Sequence, residues 1–218
     1  MKQYTSKQKE IYLNNFNNRN VAKMLEKVVD FQLIKLIDAI EVDFILGSDQ
    51  GNTALEKLRS RLWVKARFIE ISLEGITGFD ACFVRNCLAS LTKMFIGNKG
   101  LFISHVDNED VLDNLVYGYH AKQVPLIIKS ADGSGEIYSE LSSGSQSILS
   151  YAYGQSQITT QKLAKHFDIS TPNASAKLKK LFKAGYLLSD QQDAATGGIE
   201  FIYSPYFNCQ HLSYPRTP

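Results

Sequence analysis

The sequence has few cysteines, and none are spaced like metal ligands. Only Cys82, Cys87 and Cys209 occur among 218 residues. An odd number of thiols without CxxC spacing is typical of neither a disulfide framework nor a zinc ribbon. We therefore expect a reducing compartment, the cytoplasm, and no bound metal.

Long apolar runs and a charge excess are also missing. Eight charged residues interrupt the most apolar stretch, Val21 to Leu46, which falls short of the roughly 18 continuous apolar residues of a membrane span. The first twenty residues lack the apolar core of a secretion signal. With 24 basic and 22 acidic residues the net charge is only +2, so a surface that attracts nucleic acid must be local. We expect no membrane partner.

Catalytic and nucleotide-binding motifs are absent as well. Neither GxGxxG nor GxxxxGK[ST] occurs, and no HExxH spacing exists. The four histidines fall in different predicted elements: His105, His120, His166 and His211. The acidic run from Asp107 to Asp113 is typical of a helix N-terminus, where the macrodipole favours negative charge. The sequence therefore predicts neither an enzyme nor a cofactor.

Apolar residues make up 44% of the chain, which is enough for real hydrophobic cores. Between residues 41 and 142, strand-like runs alternate with helix-like runs, and this alternation predicts an α/β domain. Phe68 to Ile71 and Leu101 to Ile103 are suited to inner strands, and we expect them side by side. One helical stripe facing the sheet is predicted within Phe79 to Phe95, formed by Val84, Cys87, Leu88, Leu91, Met94 and Phe95.

Residues 1–40 are predicted to form a helical extension. Val21, Met24, Leu25 and Val28 share a helical face, and further apolar residues up to Ile37 spread around the cylinder. Other apolar surfaces must cover such a helix on several sides, because its apolar residues are spread around the cylinder. It could dock on the α/β domain, pack on the C-terminal domain, or pair with its copy in a homodimer.

A second domain, residues 143–218, is predicted to begin at Ser143-Gly144-Ser145. Three short helices follow, and the third runs from Pro172 to Ala184 before Gly185. Two strand-like runs then flank a glycine-containing loop at residues 193–198, which predicts a β-hairpin. The expected fold class is thus α/β followed by α+β.

The stretch ITTQKLAKHFDISTPNASAKLKKLFKAGYL, which begins at Ile158, resembles the winged helix-turn-helix of MarR-type and ArsR-type regulators. The resemblance implies that the third helix enters DNA. If Ala174, Leu178 and Leu181 form its buried stripe, the outward residues are mostly small or basic. We expect DNA contacts from Thr160, Thr171, Pro172, Asn173, Ser175, Ala176, Lys179, Lys180 and Lys183.

Charge in this segment is strongly one-sided. Six lysines stand against Asp168 alone between Thr160 and Tyr186, and lysines so placed can neutralise phosphates. The segment has no arginine, the residue that most often reads guanine, so strong binding is expected to need two copies joined through Val21 to Ile37. The alternative is a winged helix that docks on protein, with its lysines merely solvated.

The N-terminal half resembles STAS-like domains from residue 40 to residue 130. In anti-sigma factor antagonists of that class, the corner after the strand carries Asp-Ser-Ser-Gly, and a kinase partner phosphorylates its first serine. Here the matching residues are Asp80-Ala81-Cys82-Phe83, and Thr77 is the nearest hydroxyl. The resemblance implies partner binding at Thr77, Gly78 and Asp80. Alternatively, Gly78 permits a tight turn and Asp80 caps the next helix.

Together these features predict a DNA-binding transcriptional regulator whose STAS-like module senses a ligand or binds a partner. The alternative is a protein-interaction adaptor that docks on a kinase or ATPase partner and does not bind DNA.

Overall fold

The computed structural model describes residues 30–193 and 197–215, which form a mixed α and β structure. Its larger sheet has six strands, numbered here by their order in the chain. Across the sheet they are β1 (Phe31–Lys35), β3 (Phe68–Ser72), β5 (Gly100–Ser104), β6 (Leu126–Lys129), β7 (Gly135–Tyr138) and β11 (Leu212–Ser213). The first four run parallel, β7 is antiparallel to β6, and β11 is parallel to β7.

One face of the larger sheet is covered by helices. They are α1 (Leu36–Ile40), α2 (Ser48–Arg61), α3 (Ala81–Asn86), α4 (Leu88–Phe95) and α5 (Glu109–Lys122). Ile69 and Ile71 of β3 and Leu101 and Ile103 of β5 point into this layer, and all four are buried. Each such side chain contributes about 1.5–3 kcal/mol by leaving water. The predicted pairing of these strands is confirmed by the parallel register that places Ile69 beside Leu101.

The opposite face of the sheet has an apolar half and a polar half. Phe102 and Ile127 belong to a second core, which also contains residues of the C-terminal segment. Side chains alternate along a strand, so Glu70, which pairs with Phe102, lies on this same face. Toward the carboxyl ends of the strands the face becomes polar, with Ser72 beside Ser104.

The C-terminal segment contains three helices and a small sheet. The helices are α6 (Ser143–Tyr153), α7 (Thr160–Phe167) and α8 (Thr171–Lys183). Strand β10 (Ile199–Ser204) lies between β8 (Ile158–Thr159) and β9 (Leu188–Asp193), and both of its pairings are antiparallel. The predicted hairpin around residues 193–198 is thereby confirmed. A further two-stranded ribbon joins β2 (Phe44–Ile45) to β4 (Gly78–Phe79).

The two sheets are closely connected. Tyr206 donates a 2.6 Å hydrogen bond from its hydroxyl to the carbonyl of Gly185, and its ring lies against Gly100 of β5. The chain then returns to the larger sheet as β11. Residues on both sides of the predicted boundary between residues 142 and 143 therefore contribute strands to the larger sheet.

The helical stripe predicted within Phe79 to Phe95 is interrupted. Helix α3 ends before Cys87, whose φ and ψ are −105° and −85°, and α4 begins after it. The hydroxyl of Ser90 donates to the carbonyl of Arg85 at 2.8 Å, and such insertion of a side chain into the backbone ladder is a common cause of a break. Met94 is consequently not part of the stripe, since 46% of it is exposed.

The predicted helical extension is wrong for residues 31–35, which form β1. Each residue from Phe31 to Lys35 pairs in parallel with β3, and the alternating burial of the strand places Ile34 in the core between the larger sheet and helices α1 to α5. Ile34 and Leu36, two residues of the proposed dimer surface, are therefore buried within the chain, whereas Leu33 is exposed. Residues 1–29 lie outside the described residues.

Within the described ranges, no helix is both long enough and apolar enough to cross a membrane.

Candidate nucleic-acid interface

Helix α8 begins and ends within one residue of the predicted bounds, Pro172 to Ala184. The Ser170 side chain accepts a bond from the backbone N–H of Asn173 at 3.4 Å, and Pro172 occupies the first turn, where its missing N–H costs nothing. Gly185, with φ +85°, follows the helix. A Cβ at Gly185 would lie 3.0 Å from the Ile96 side chain. Both the positive φ and this close contact therefore favour glycine at position 185.

Helix α7 is set against α8 by a three-residue turn. Thr159 caps α7 by accepting from the N–H of Lys162 at 3.3 Å. Asp168 then adopts a left-handed conformation with φ 50°, and its N–H bonds to the carbonyl of Ala164. This arrangement holds α7 behind α8 and leaves one long side of α8 open to solvent.

The predicted orientation of α8 is confirmed. Ala174, Leu178 and Leu181 are buried in the second core. The predicted contact residues lie together on the other side of α8 and at the start of α7. Thr171, Pro172, Asn173, Ala176, Lys179, Lys180 and Lys183 are exposed, and Thr160 and Ser175 are half-buried.

The lysines of this surface have no acidic partners in the described part of the chain. The four ion pairs found there involve Lys35, Arg59, Arg67 and Lys129 as cations. Lys162, Lys165, Lys177, Lys179, Lys180 and Lys183 therefore remain uncompensated by any described carboxylate. A helix face of this kind attracts anions, and because its cations are solvated the attraction falls as salt is added.

The hairpin lies along the same side of α8. The Nζ atom of Lys179 is 5.8 Å from the centre of the Phe201 ring, and the Phe182 and Tyr203 rings are 6.5 Å apart. Phe201 keeps Lys179 beside the hairpin, within the range of a cation–π interaction. Helix and hairpin consequently present one continuous surface.

The charge of Asp190 on β9 is compensated by a residue next to the larger sheet. Its carboxylate forms a short ion pair with the guanidinium of Arg67, immediately before β3. Sequence reasoning missed this role of Arg67, because the two residues are 123 positions apart and no spacing pattern relates them. The ion pair with Arg67 compensates one of the three acidic residues of the hairpin strands, which are Asp190, Asp193 and Glu200.

The carboxyl end of α8 contacts residues that pack on the larger sheet. Phe182 approaches Gly97, and Lys183 and Tyr186 share a cleft of about 400 Å³ with His120 and Pro125. The Tyr186 hydroxyl bonds to that of Ser139 at 2.5 Å, and burial raises the pKa of Tyr186. The amino-terminal half of α8 is thus not covered by this contact, whereas Lys183 lies where α8 meets the residues that pack on the larger sheet.

The predicted partner-binding corner has a structural explanation. The Asp80 carboxylate accepts from the backbone N–H of Phe83 at 2.7 Å and from that of Gly47 at 2.9 Å. Asp80 therefore caps α3, as one of the two sequence interpretations predicts. Gly78 is buried under the Phe44 ring, and the exposed Thr77 donates to the carbonyl of Asp43 at 3.1 Å. Of the three residues, only Thr77 presents a hydroxyl at the surface.

The geometry offers no metal centre, since the described residues contain no group of three or more potential ligands. No protein-family model matches the chain, and comparisons with curated proteins and with solved structures give no match either.

Proposed function

We propose that the protein binds double-stranded DNA through α8 and the adjoining hairpin and acts as a transcriptional regulator. The observation that carries the proposal is the exposed lysine face of α8, which lacks described acidic partners and lies opposite a fully buried stripe. The resemblance of this segment to winged helix-turn-helix regulators supports the same assignment.

In this proposal the two ends of α8 have different tasks. Its amino-terminal residues would read bases. Asn173 can form hydrogen bonds with the edge of an adenine, and the Ser175 hydroxyl can donate to or accept from a base edge. Ala176 can make an apolar contact with the methyl group of a thymine. Lys179, Lys180 and Lys183 would bind phosphates, which set register and affinity without reading sequence.

The test is a DNA titration of the full chain carrying Lys179→Glu and Lys183→Glu. Both side chains are exposed, so the fold should persist while DNA retention is lost. The matched control exchanges Lys57 of α2 and Lys93 of α4, both exposed, for glutamate. Affinity is measured by fluorescence anisotropy on pooled genomic fragments at two salt concentrations. Unchanged retention in the α8 variant would refute the proposal.

One α8 helix makes few contacts, so we propose that two copies bind together on paired half-sites. Light scattering of the full chain with and without a DNA fragment measures this directly. A complex containing a single copy at saturating protein would refute the dimer.

The alternative function, an adaptor for a kinase or ATPase, is favoured by one observation. Val42, Phe44 and Leu46 are 49%, 56% and 50% exposed, and Phe44 covers Gly78 of the predicted partner-binding corner. Exposed apolar groups that lie together are typical of protein contacts. Intact-mass analysis after incubation with cell extract and ATP distinguishes the functions. Phosphate on Thr77 would support the adaptor, and we expect none between Ile71 and Cys87.

A further inference from the structure

A polar cleft opens at the carboxyl ends of the parallel strands, away from α8. Its volume is about 340 Å³, and its polar lining includes Glu70, Ser104, His105, Asp107, Lys129 and Glu136. Strand β3 contributes Glu70, β5 ends at Ser104, and β6 ends at Lys129. In open sheets with parallel strands, ligands bind beyond these ends of the strands.

Glu70 is the most unusual residue of the cleft. Only 8% of the residue is exposed, and its closest cation, the Nζ atom of Lys129, is 3.6 Å from its carboxylate. That separation exceeds a hydrogen bond, and no described residue donates one to this carboxylate. Buried carboxylates in folded proteins normally have such donors, because desolvation of an unbonded charge is costly. Apart from the ion pair with Lys129, the Glu70 carboxylate, which lines the cleft, therefore has hydrogen-bonding capacity that the described residues leave unused.

His105 is held in place at the mouth of the cleft. Its φ of 57° is uncommon for a residue with a side chain, and its Nδ1 atom lies 3.1 Å from the Ser72 hydroxyl and 3.0 Å from that of Ser104. Both serines are buried. These contacts fix the ring through one nitrogen, and the second nitrogen makes no bond to a described residue. Backbone conformations of this kind persist where surrounding contacts impose them, and they cluster at ligand sites.

The charges of the lining indicate which ligand would fit. Three carboxylates, those of Glu70, Asp107 and Glu136, face a single lysine. The described residues provide no ligand set for a metal. The cleft therefore has more hydrogen-bond acceptors than charged donors. A cationic molecule with several N–H groups could donate to these carboxylates and compensate their charge.

We propose that this cleft binds a small organic cation, an amine or guanidine, with Glu70 as its main acceptor. Lys129 competes with the ligand for the Glu70 carboxylate and gives way on binding. The proposal does not depend on DNA binding, and its test contains no DNA.

The test is calorimetric titration of the full chain with agmatine, which carries both a primary amine and a guanidine. We expect saturable binding by agmatine and none by the neutral diol 1,4-butanediol. Glu70→Gln should weaken binding at least tenfold. Glu74→Gln is the matched control, because Glu74 is exposed outside the cleft and pairs with Lys35. This control should bind agmatine as the unaltered chain does.

Lys129→Met gives a result in the opposite direction. Removing the competing ammonium should tighten agmatine binding several-fold, and this variant carries the test if Glu70→Gln does not fold. Absence of agmatine binding by the unaltered chain would overturn the proposal. Equal affinities in the Glu70 and Glu74 variants, or weaker binding after Lys129→Met, would overturn it as well.

Discussion

The guanidinium of Arg67 contacts the carboxylate of Asp190, and the pair joins the first residue before β3 to the hairpin that borders α8. The side chains are 31% and 43% exposed, so their attraction is screened by water and contributes at most about 1 kcal/mol to stability. Its larger consequence is electrostatic, because Arg67 cancels a negative charge close to the proposed DNA surface.

We expect Arg67→Gln to weaken DNA binding with little loss of stability. The unpaired Asp190 carboxylate would then repel the phosphates, whereas Asp190→Asn in the same chain should restore the affinity. Anisotropy titrations of both single variants and the double variant form the thermodynamic cycle, and urea unfolding serves as the stability control. Equal affinities for all four proteins would show that this charge does not matter to DNA.

Gly100→Ala should destabilise the protein by about 1–3 kcal/mol, because it overpacks a filled core. A Cβ at Gly100 would overlap the Tyr206 ring, which the hydrogen bond to Gly185 holds in place. Gly144→Ala is the matched control, since nothing lies within 4 Å of its Cβ position and alanine favours the surrounding helix α6. Urea unfolding curves measure both effects, and equal shifts would contradict the close contact.

The three cysteines should react at different rates. Burial raises the pKa of the Cys87 and Cys209 thiols, and the thiolate is the reactive form, whereas Cys82 is exposed. At pH 8 we expect iodoacetamide to modify the native protein once, at Cys82, and the urea-unfolded chain three times. Mass spectrometry of the digested protein locates the adducts. Rapid native labelling of Cys87 would be inconsistent with this core.

Stability should fall at alkaline pH. Burial raises the pKa of Tyr214 to about 12, and it also raises the pKa of Tyr153 and Tyr206. The unfolded chain releases tyrosine protons near pH 10, so stability is intact below that pH and decreases as the pH rises toward 12. Urea midpoints at pH 9, 10 and 11 measure the decrease, which Tyr214→Phe should reduce. A midpoint that does not change over this range would contradict the prediction.

Periodicity predicted the regular parts of the molecule well. The buried stripe of α8 and the pairing of β3 with β5 depend on repeats of three, four or two residues, which the sequence displays directly. The strand Phe31–Lys35 is not evident from the sequence, because it adjoins the apolar helix α1 and the two form one apolar run without clear alternation.

Other features depend on contacts that no local pattern records. Glu70, His105 and Lys129 meet only because strand register aligns the ends of three strands. At the break at Cys87, the Ser90 hydroxyl bonds to the carbonyl of Arg85, a contact that no apolar repeat records. Such contacts are consequences of tertiary structure, and residues distant in the chain become neighbours only after folding.

The two-residue strand β11 covers the edge of β7 in the larger sheet. It pairs with Gly135 and Glu136, and the Gly135 N–H donates to the carbonyl of His211 at 2.9 Å. An open edge strand is a template for pairing with another chain, and β11 is too short to offer much of an edge itself. A chain that ended before Leu212 would expose β7, and aggregation through this edge would then compete with correct folding.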